Sequence, residues 1–346
     1  MKKFTLLTIL VLSLALALTA CGGNDAGNGG TVDANGGEEV ADATVTLAVG
    51  NIQSMDDVAT AALHRMSELA YEKSGGTIII EVYPASQLGS AISQIEAVSL
   101  GSQAMFQGSG TWLATYVADR GAAGMFFVFH DRDHFVNYVE SDLMADVEEQ
   151  FRQELGITII ANNWIIAPRS MASTVEIHTV EDLHGLRFRV PDIRAYLDSV
   201  NALGASPVQI AFGETYLAMI QGVVDVTEAP FDNLYTMNFY EAGQYIIMTE
   251  HIYDNYVVMI NERIFNSLSA NQQQVLRSAA VEAGVFFNDG LADMLETFTQ
   301  NMSAGGATFI YVDKSSFAEA AEAKIRELEA AGEWRAGLFD EIRALR

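Results

Sequence analysis

The chain has 346 residues, 45 of them acidic and 19 basic, for a formal charge of -26, and half of its residues are apolar. So negative a field excludes nucleic acid and an anionic lipid surface as charge-driven partners, while the length allows two domains or one large one. The single cysteine, Cys21, excludes an internal disulfide and a thiolate metal site, so the apolar core must hold the fold.

The chain starts with the cationic stretch Met1-Lys2-Lys3, then an apolar run over 4–17 that closes in Leu18-Thr19-Ala20-Cys21. This is the layout of an export signal. It falls short of the about 20 apolar residues that span a bilayer. The ending resembles the bacterial lipobox, in which the cysteine becomes the acylated N-terminus. It assigns 1–20 to a lipoprotein signal peptide and Cys21 to lipidation. The chain is then extracytoplasmic and lipid-anchored, in the periplasm of a two-membrane cell or on the surface of a one-membrane cell. A plain cleaved signal is the alternative. Residue 22 is Gly and not Asp, so the common inner-membrane retention signal is missing. Residues 21–43, rich in Gly, Asn, Asp and Glu, read as a flexible tether.

Next comes an alternation of strands and helices. Residues 43–49 form a strand. Asp56 and Asp57 cap a helix over 58–73, which Gly75-Gly76 ends. Residues 77–83 are a strand, 90–100 a helix stopped by Gly101, and 103–107 a short buried strand. One amphipathic helix covers 135–155. A strand at 157–162 follows, with Arg169 in the loop beyond it. A short helical turn opens at 179–182, before a strand at 186–190. A helix at 193–203, a strand at 208–210, a helix at 214–221 and a strand at 223–226 continue the pattern. The last elements are a strand at 256–261, a helix from 271 through 287 towards 300, a strand at 309–312 and mostly helix over 315–345. Strands separated by such helices define an α/β architecture with mainly parallel sheets.

Catalytic signatures are missing. The sequence has no Gly-x-Ser-x-Gly elbow, no His-Glu-x-x-His helix and no Gly-x-Gly-x-x-Gly turn. His130 and His134 would share a helix face, as a metal pair or as part of a solvated helix start. The scarce cations are more informative. Strand alternation puts Arg187 and Arg189 on one face and Phe188 on the other, with Pro191 ending the strand. An arginine at a strand end can hold a carboxylate through two parallel hydrogen bonds. Open α/β sheets bind ligands at that edge. A partly buried ion pair with Asp or Glu is the competing reading for Arg189.

Three segments carry a resemblance: YPASQLG (83–89), DLHGLRFRVP (182–191) and QGVVDVTE (221–228). From about 44 to near 345 the chain resembles the substrate-binding proteins of tripartite ATP-independent periplasmic (TRAP) transporters, of the type that binds C4-dicarboxylates, sialic acid and other organic acids. The resemblance implies a two-lobed, periplasmic-binding-protein-like α/β fold with several hinge crossings and a long inter-lobe helix. Lobe one would be 44–166 plus 255–294, and lobe two 167–254 plus 295–346. A small organic acid would bind in the cleft and be delivered to the TRAP permease membrane subunits, with no bond made or broken.

The resemblance also implies roles. Arg189 would bind the ligand carboxylate, assisted by Arg169, with Phe212 packed over the ligand. Glu228 and Ala229 match a Glu-Asn pair of many members. Ala229 cannot donate the amide hydrogen bond, which weakens the sugar-acid and C4-dicarboxylate readings. Asn51, Gln53, residues 87–94, Gln107, Ser109, Thr111, Trp112, Trp164, Phe231 and Asn233 are further cleft candidates, each against a bland reading as cap or packing. No cofactor is expected. A ligand-bridging cation, calcium or sodium, would draw on Glu228, Asp225 or Asp232. The protein is taken as a monomer. A sensor feeding a membrane receptor kinase, an enzyme on the same scaffold and a surface adhesin are the alternatives.

Overall fold

The structure, a computed structural model, describes residues 42–345. Cys21, the export segment and the tether up to residue 41 lie outside the described residues. Order already includes Asp42 and Ala43, which accept hydrogen bonds from Asn271 and Gln272 at 3.1 and 2.9 Å.

The first elements are β1 (Val45–Gly50), α1 (Val58–Lys73), β2 (Ile78–Tyr83), α2 (Ala91–Leu100) and β3 (Met105–Ser109). Asp57 caps α1 by accepting the amide of Ala59, and Ser90 caps α2, which ends on Gly101 in the left-handed region. A 3-10 turn (Gly110–Thr115) and α3 (Ala118–Ala123) follow. The helix expected over 135–155 is two helices, α4 (Arg132–Val139) and α5 (Asp142–Leu155). The break comes at Ser141, whose hydroxyl donates to Tyr138 O at 2.7 Å and competes with helical continuation.

Then come β4 (Ile157–Ile165), β5 (Arg169–Ser173), β6 (Arg187–Val190), α6 (Arg194–Ala202), β7 (Ser206–Gln209), α7 (Thr215–Ile220) and β8 (Val226–Pro230). Arg169 therefore opens a strand, where a loop was expected. The strand expected at 223–226 starts at its last residue, so Glu228 and Ala229 lie inside β8. The chain continues through α8 (Phe231–Thr236), α9 (Phe239–Ala242), β9 (Tyr245–Ile252), β10 (Asn255–Asn261), α10 (Glu262–Ser267), α11 (Ala270–Ala304), β11 (Thr308–Tyr311), α12 (Ser315–Ala331) and α13 (Leu338–Arg343).

The strands form two sheets, in the orders β2-β1-β3-β10-β4 and β11-β9-β5-β8-β6-β7. All pairings are parallel except those of β10 with β3 and β4 and of β5 with β8 and β9. The reversed strands are the ones at which the chain changes sheet. It leaves β4 for β5 through residues 166–168 and leaves β9 for β10 through residues 253–254. The two crossings touch, since Ile166 N donates to Asp254 O at 3.2 Å. Residues 118–139, expected with the first lobe, also meet elements expected in the second. Phe126 N donates to Ser199 Oγ on α6, and the His134 ring bonds Ile342 O on α13 at 2.8 Å. His134 is thus committed to a carbonyl, which disfavours the metal-pair reading.

The third passage between sheets is α11, 35 residues long. Ser269 and Gln272 form a capping box at its start. Its first half lies on β4, where Trp164 Nε1 donates to Ala280 O at 2.9 Å and Ile165 N donates to Asn288 Oδ1 at 2.8 Å. Near its end Phe298 stacks on Tyr235 of α8, ring centroids 5.0 Å apart. Gly284 makes the close approach to β4 feasible. A Cβ there would lie 2.5 Å from Trp164 Cδ1 and 2.7 Å from Asn163 Oδ1. Gly284→Ala gains about 1 kcal/mol of helix propensity but overpacks at a cost of about 1–3 kcal/mol. A urea titration is expected to show a net loss of stability, and a raised midpoint would contradict this packing.

Candidate functional site

A parallel sheet leaves its loops at the C-terminal strand ends, and here those loops converge. Ile52 and Ser54 follow β1, Ala85 to Ile92 follow β2, and Trp112 follows β3. From the second sheet come Arg189, Pro191 and Asp192 of β6 and its exit, Gln209 at the end of β7 and Ile210 to Glu214 after it. They enclose a cavity of about 840 Å³. Ala85 and Ser86 hold φ of 53° and 58°, a conformation that non-glycine residues rarely adopt. Their amides donate to Gln53 O and Asn51 O at 2.7 and 3.1 Å, which locks this lip onto the loop after β1.

Beneath lies a smaller space of about 40 Å³ that reaches Arg169, Tyr196, Asn233 and Tyr256 and shares Ile52, Trp112, Arg189, Pro191 and Phe212 with the larger one. The two arginines differ here. Arg169 makes a two-point pair with Glu228, Nε to Oε2 at 2.5 Å and Nη2 to Oε1 at 2.8 Å, while its Cζ lies 5.6 Å from the centre of the Tyr196 ring. Burial disfavours the Glu228 charge, yet the Arg169 guanidinium holds the carboxyl down to about 2. His251 sits 3.6 Å from the same carboxylate, and burial keeps its pKa below the usual value.

Arg189 has no such counter-ion. It is 2% exposed, its Nε and Nη2 both donate to Ile210 O at 2.9 and 2.7 Å, and its Cζ lies 5.5 Å from the Phe212 ring centre. No carboxylate among the described residues pairs with it, and none of those residues accepts a hydrogen bond from Nη1. Burial lowers its pKa to about 10 despite the attraction of Glu228. The group stays charged at neutral pH.

A second buried cluster stands behind the floor. Asn233 Nδ2 donates to Asp57 Oδ2 at 2.7 Å and to Asp232 Oδ2 at 3.4 Å. Tyr256 Oη donates to Asn233 Oδ1 at 3.2 Å and accepts from Gln53 Nε2 at 3.1 Å. Burial, and then the nearby Asp57 charge, raise Asp232 to about 8.

Of the candidate residues, Arg189, Arg169, Phe212, Trp112, Gln53, Ser109, Asn233 and, within 87–94, Gly89 to Ile92 line the cleft. Others do not. Trp164 is core, stacked on Phe287 at 5.7 Å with its indole N–H spent on Ala280. Ala229 is fully buried on the opposite face of β8 from Glu228, because side chains alternate along a strand. Glu228 is the counter-ion of Arg169 and lines neither cavity. Asn51 bonds Thr60 Oγ1 at 3.2 Å, and Gln94 bonds Gly89 O at 2.9 Å. Gln107 is wholly buried away from both cavities, Thr111 lies buried in the 3-10 turn, Gln87 points to solvent and Phe231 packs near Phe309. Asp225 is engaged by Arg187, and no cluster of three metal-ligating side chains occurs among the described residues. Sequence reasoning missed Ile52, Ser86, Asp192, Gln209, Tyr196 and Met237. Ile52, Ser86 and Asp192 were findable as residues just past a strand's C-terminal end, and Gln209 as a residue at one.

A cleft of this kind, lined by apolar walls and floored by one unpaired guanidinium, belongs to a protein that binds a small anionic solute. Residues 49–331 match the family described as bacterial extracellular solute-binding protein, family 7, and the chain belongs to that family. It is a family of transport proteins, not of enzymes. The chain is 27% identical over 293 residues to the sialic acid-binding periplasmic protein SiaP of Vibrio cholerae, covering 83% of this chain and 89% of the relative. It is 29% identical over 250 residues to the C4-dicarboxylate-binding periplasmic protein DctP of Rhodobacter capsulatus, covering 70% and 73%. Two crystal structures of TRAP periplasmic solute-binding proteins share the two-lobed fold. One, from Ochrobacterium anthropi with bound L-fuconate, superposes with a TM-score of 0.82 at 27% identity, covering 88% of this chain and 99% of that one. The other, from Roseobacter denitrificans with bound L-galactonate, gives 0.80 at 25% identity, covering 87% and 98%.

The two buried acids set opposite pH slopes. Glu228, lowered in the folded state, contributes stability above about 4.5 that is lost as pH falls towards 2. Asp232, raised from 3.8 to about 8, contributes stability at acidic pH that is lost as pH rises through 8. Asp232→Asn removes the second slope. In urea titrations at pH 5 and pH 8, the variant is expected to gain on the wild type at the higher pH, and a constant difference would refute a protonated Asp232.

Proposed function

We propose that the cleft captures an organic carboxylate on Arg189 and delivers it to the membrane subunits of a TRAP transporter. One observation carries this reading: a guanidinium 2% exposed, open to the cavity, with no carboxylate among the described residues to neutralise it. A buried cation without a partner is costly, and a ligand carboxylate supplies one with two parallel hydrogen bonds at hand. The relatives crystallised with L-fuconate and L-galactonate support a carboxylate ligand.

In this reading the lobes are 44–166 plus 255–294 and 167–254 plus 295–346, and they close over the ligand. The protein works as a monomer, makes no bond and needs no cofactor. Of the carboxylates that a bridging cation would draw on, Glu228 is engaged by Arg169 and Asp232 by the Asp57–Asn233 cluster. Lipid on Cys21 holds the binder outside the cytoplasm at a membrane, since several acyl chains give firm anchoring at about 0.8 kcal/mol per buried CH₂.

A thermal-shift screen of mono-, di- and aromatic acids should identify a ligand. Arg189→Ala is then expected to weaken that ligand by about 3–5 kcal/mol in calorimetry, and unchanged affinity would refute the assignment. Cys21→Ser is expected to move the protein from the membrane fraction to the soluble fraction. Retention at the membrane would refute lipidation.

A further inference from the structure

We infer that the cleft selects monocarboxylates over dicarboxylates, with Glu228, Asp192 and Glu214 as the residues that set this preference. The inference rests on the proposed capture of a carboxylate by Arg189 and adds a count of charge to it.

Two arginines at a cleft floor could serve two carboxylates, one each. That arrangement does not fit here, because Glu228 already neutralises Arg169 and leaves it at most a hydrogen bond to add to the carboxylate held by Arg189. Arg169 has its Nε and Nη2 occupied by Glu228 at 2.5 and 2.8 Å. Its charge is cancelled by a carboxylate that is itself fully buried. The other ionisable groups at this depth add nothing positive. His251 is buried and held towards its neutral form, and Tyr196 and Tyr256 are held neutral by burial. The floor therefore offers one net positive charge, at Arg189, and matches one anionic group.

The upper cavity rejects a second anion. Its charged groups other than Arg189 are Asp192 and Glu214. Asp192 accepts from Gln209 Nε2, and the Glu214 carboxylate has no ion pair or hydrogen bond among the described residues. Among the described residues no Lys or Arg other than Arg189 lines the space. A second carboxylate held there would lose water and face like charges, which disfavours a ligand more strongly than any missing contact. Between floor and rim the walls are mainly apolar, including Ile52, Ile92, Trp112, Phe212 and Met237. They suit the uncharged body of a monoanion, and the two rim carboxylates suit a donor group at its far end.

The test is calorimetry on the full chain with matched acids that differ only in the second carboxylate: butanoate and succinate, hexanoate and adipate, benzoate and terephthalate, with 6-aminohexanoate as a donor-ended probe. The monoacid of each binding pair is expected to be tighter by roughly tenfold or more, the scale of one like-charge contact in a partly dry site. Amino-ended acid should bind at least as well as hexanoate. Diacids equal to or tighter than their monoacids would overturn the inference and leave the carboxylate reading standing. No binding by any acid would overturn both. The exposed rim variant Asp192→Asn/Glu214→Gln should fold normally and narrow the gap at least threefold, and an unchanged gap would remove the rim from the argument. Glu228→Gln frees the charge of Arg169 and should favour the diacid. Should that variant fail to fold, the rim variant and the matched pairs still decide.

Discussion

Two guanidinium groups buried in one cleft repel each other, and the protein resolves that repulsion by giving a carboxylate to only one of them. Arg169 and Glu228 meet across adjacent antiparallel strands, β5 and β8, where Arg169 pairs with Pro230 in the register and Glu228 stands two residues along on the same strand face. The geometry of the sheet thus fixes the pair before any ligand arrives. Arg189 lies on β6, the next strand beyond β8, and is held by a single carbonyl, that of Ile210. Its orientation is fixed and its charge is not compensated. Replacing a buried pair by apolar groups is often tolerated, whereas stranding one charge is not, so the neutralised arginine and the bare one impose different demands on the chain around them.

The rest of the cleft follows from topology. Parallel strands deliver their exits to the same edge, and both sheets turn that edge towards the shared space. The two reversed strands, β5 and β10, begin just past the points where the chain changes sheet, so the crossings lie next to the ligand space and not at the periphery. The chain of side chains from Gln53 through Tyr256 and Asn233 to Asp57 joins residues of the first sheet's loops to residues of α8. That chain makes the acidity of two buried aspartates sensitive to how these segments meet.

Much of the frame could be read from residues alone. Asp57, Ser90 and Gly101 marked α1 and α2, and the α11 signal ran on towards its true length. Segments that failed share a cause. β5 and β9 were missed because Arg169-Ser-Met-Ala-Ser and the polar Thr249-Glu-His have no clean alternation, each being covered on both faces. α8 and α9 are one or two turns long and carry no caps. At the site, Arg189 and Phe212 were legible through their motifs. Trp164 and Ala229 were not, because an indole looks the same in a core as in a cleft, and because the face of β8 depends on a register that a short apolar run leaves open. Tyr196 sits on the apolar stripe of α6, where nothing separates a wall of a binding site from ordinary packing.

The strand order of the first sheet also governs when it can be completed. β3 and β4 are neighbours of β10 and not of each other, and β10 lies at residues 255–261. A chain emerging from its N-terminus can pair β1 with β2 and β3, but the slot beside β3 stays open while all of β4 through β9 is made. Over that interval two strand edges are unpaired and apolar, the condition under which a chain is most prone to associate with others. Closure requires contacts between residues far apart in sequence, which makes it slow. The interleaving that sets the ligand space between two sheets thus ties the assembly of each sheet to the arrival of the other.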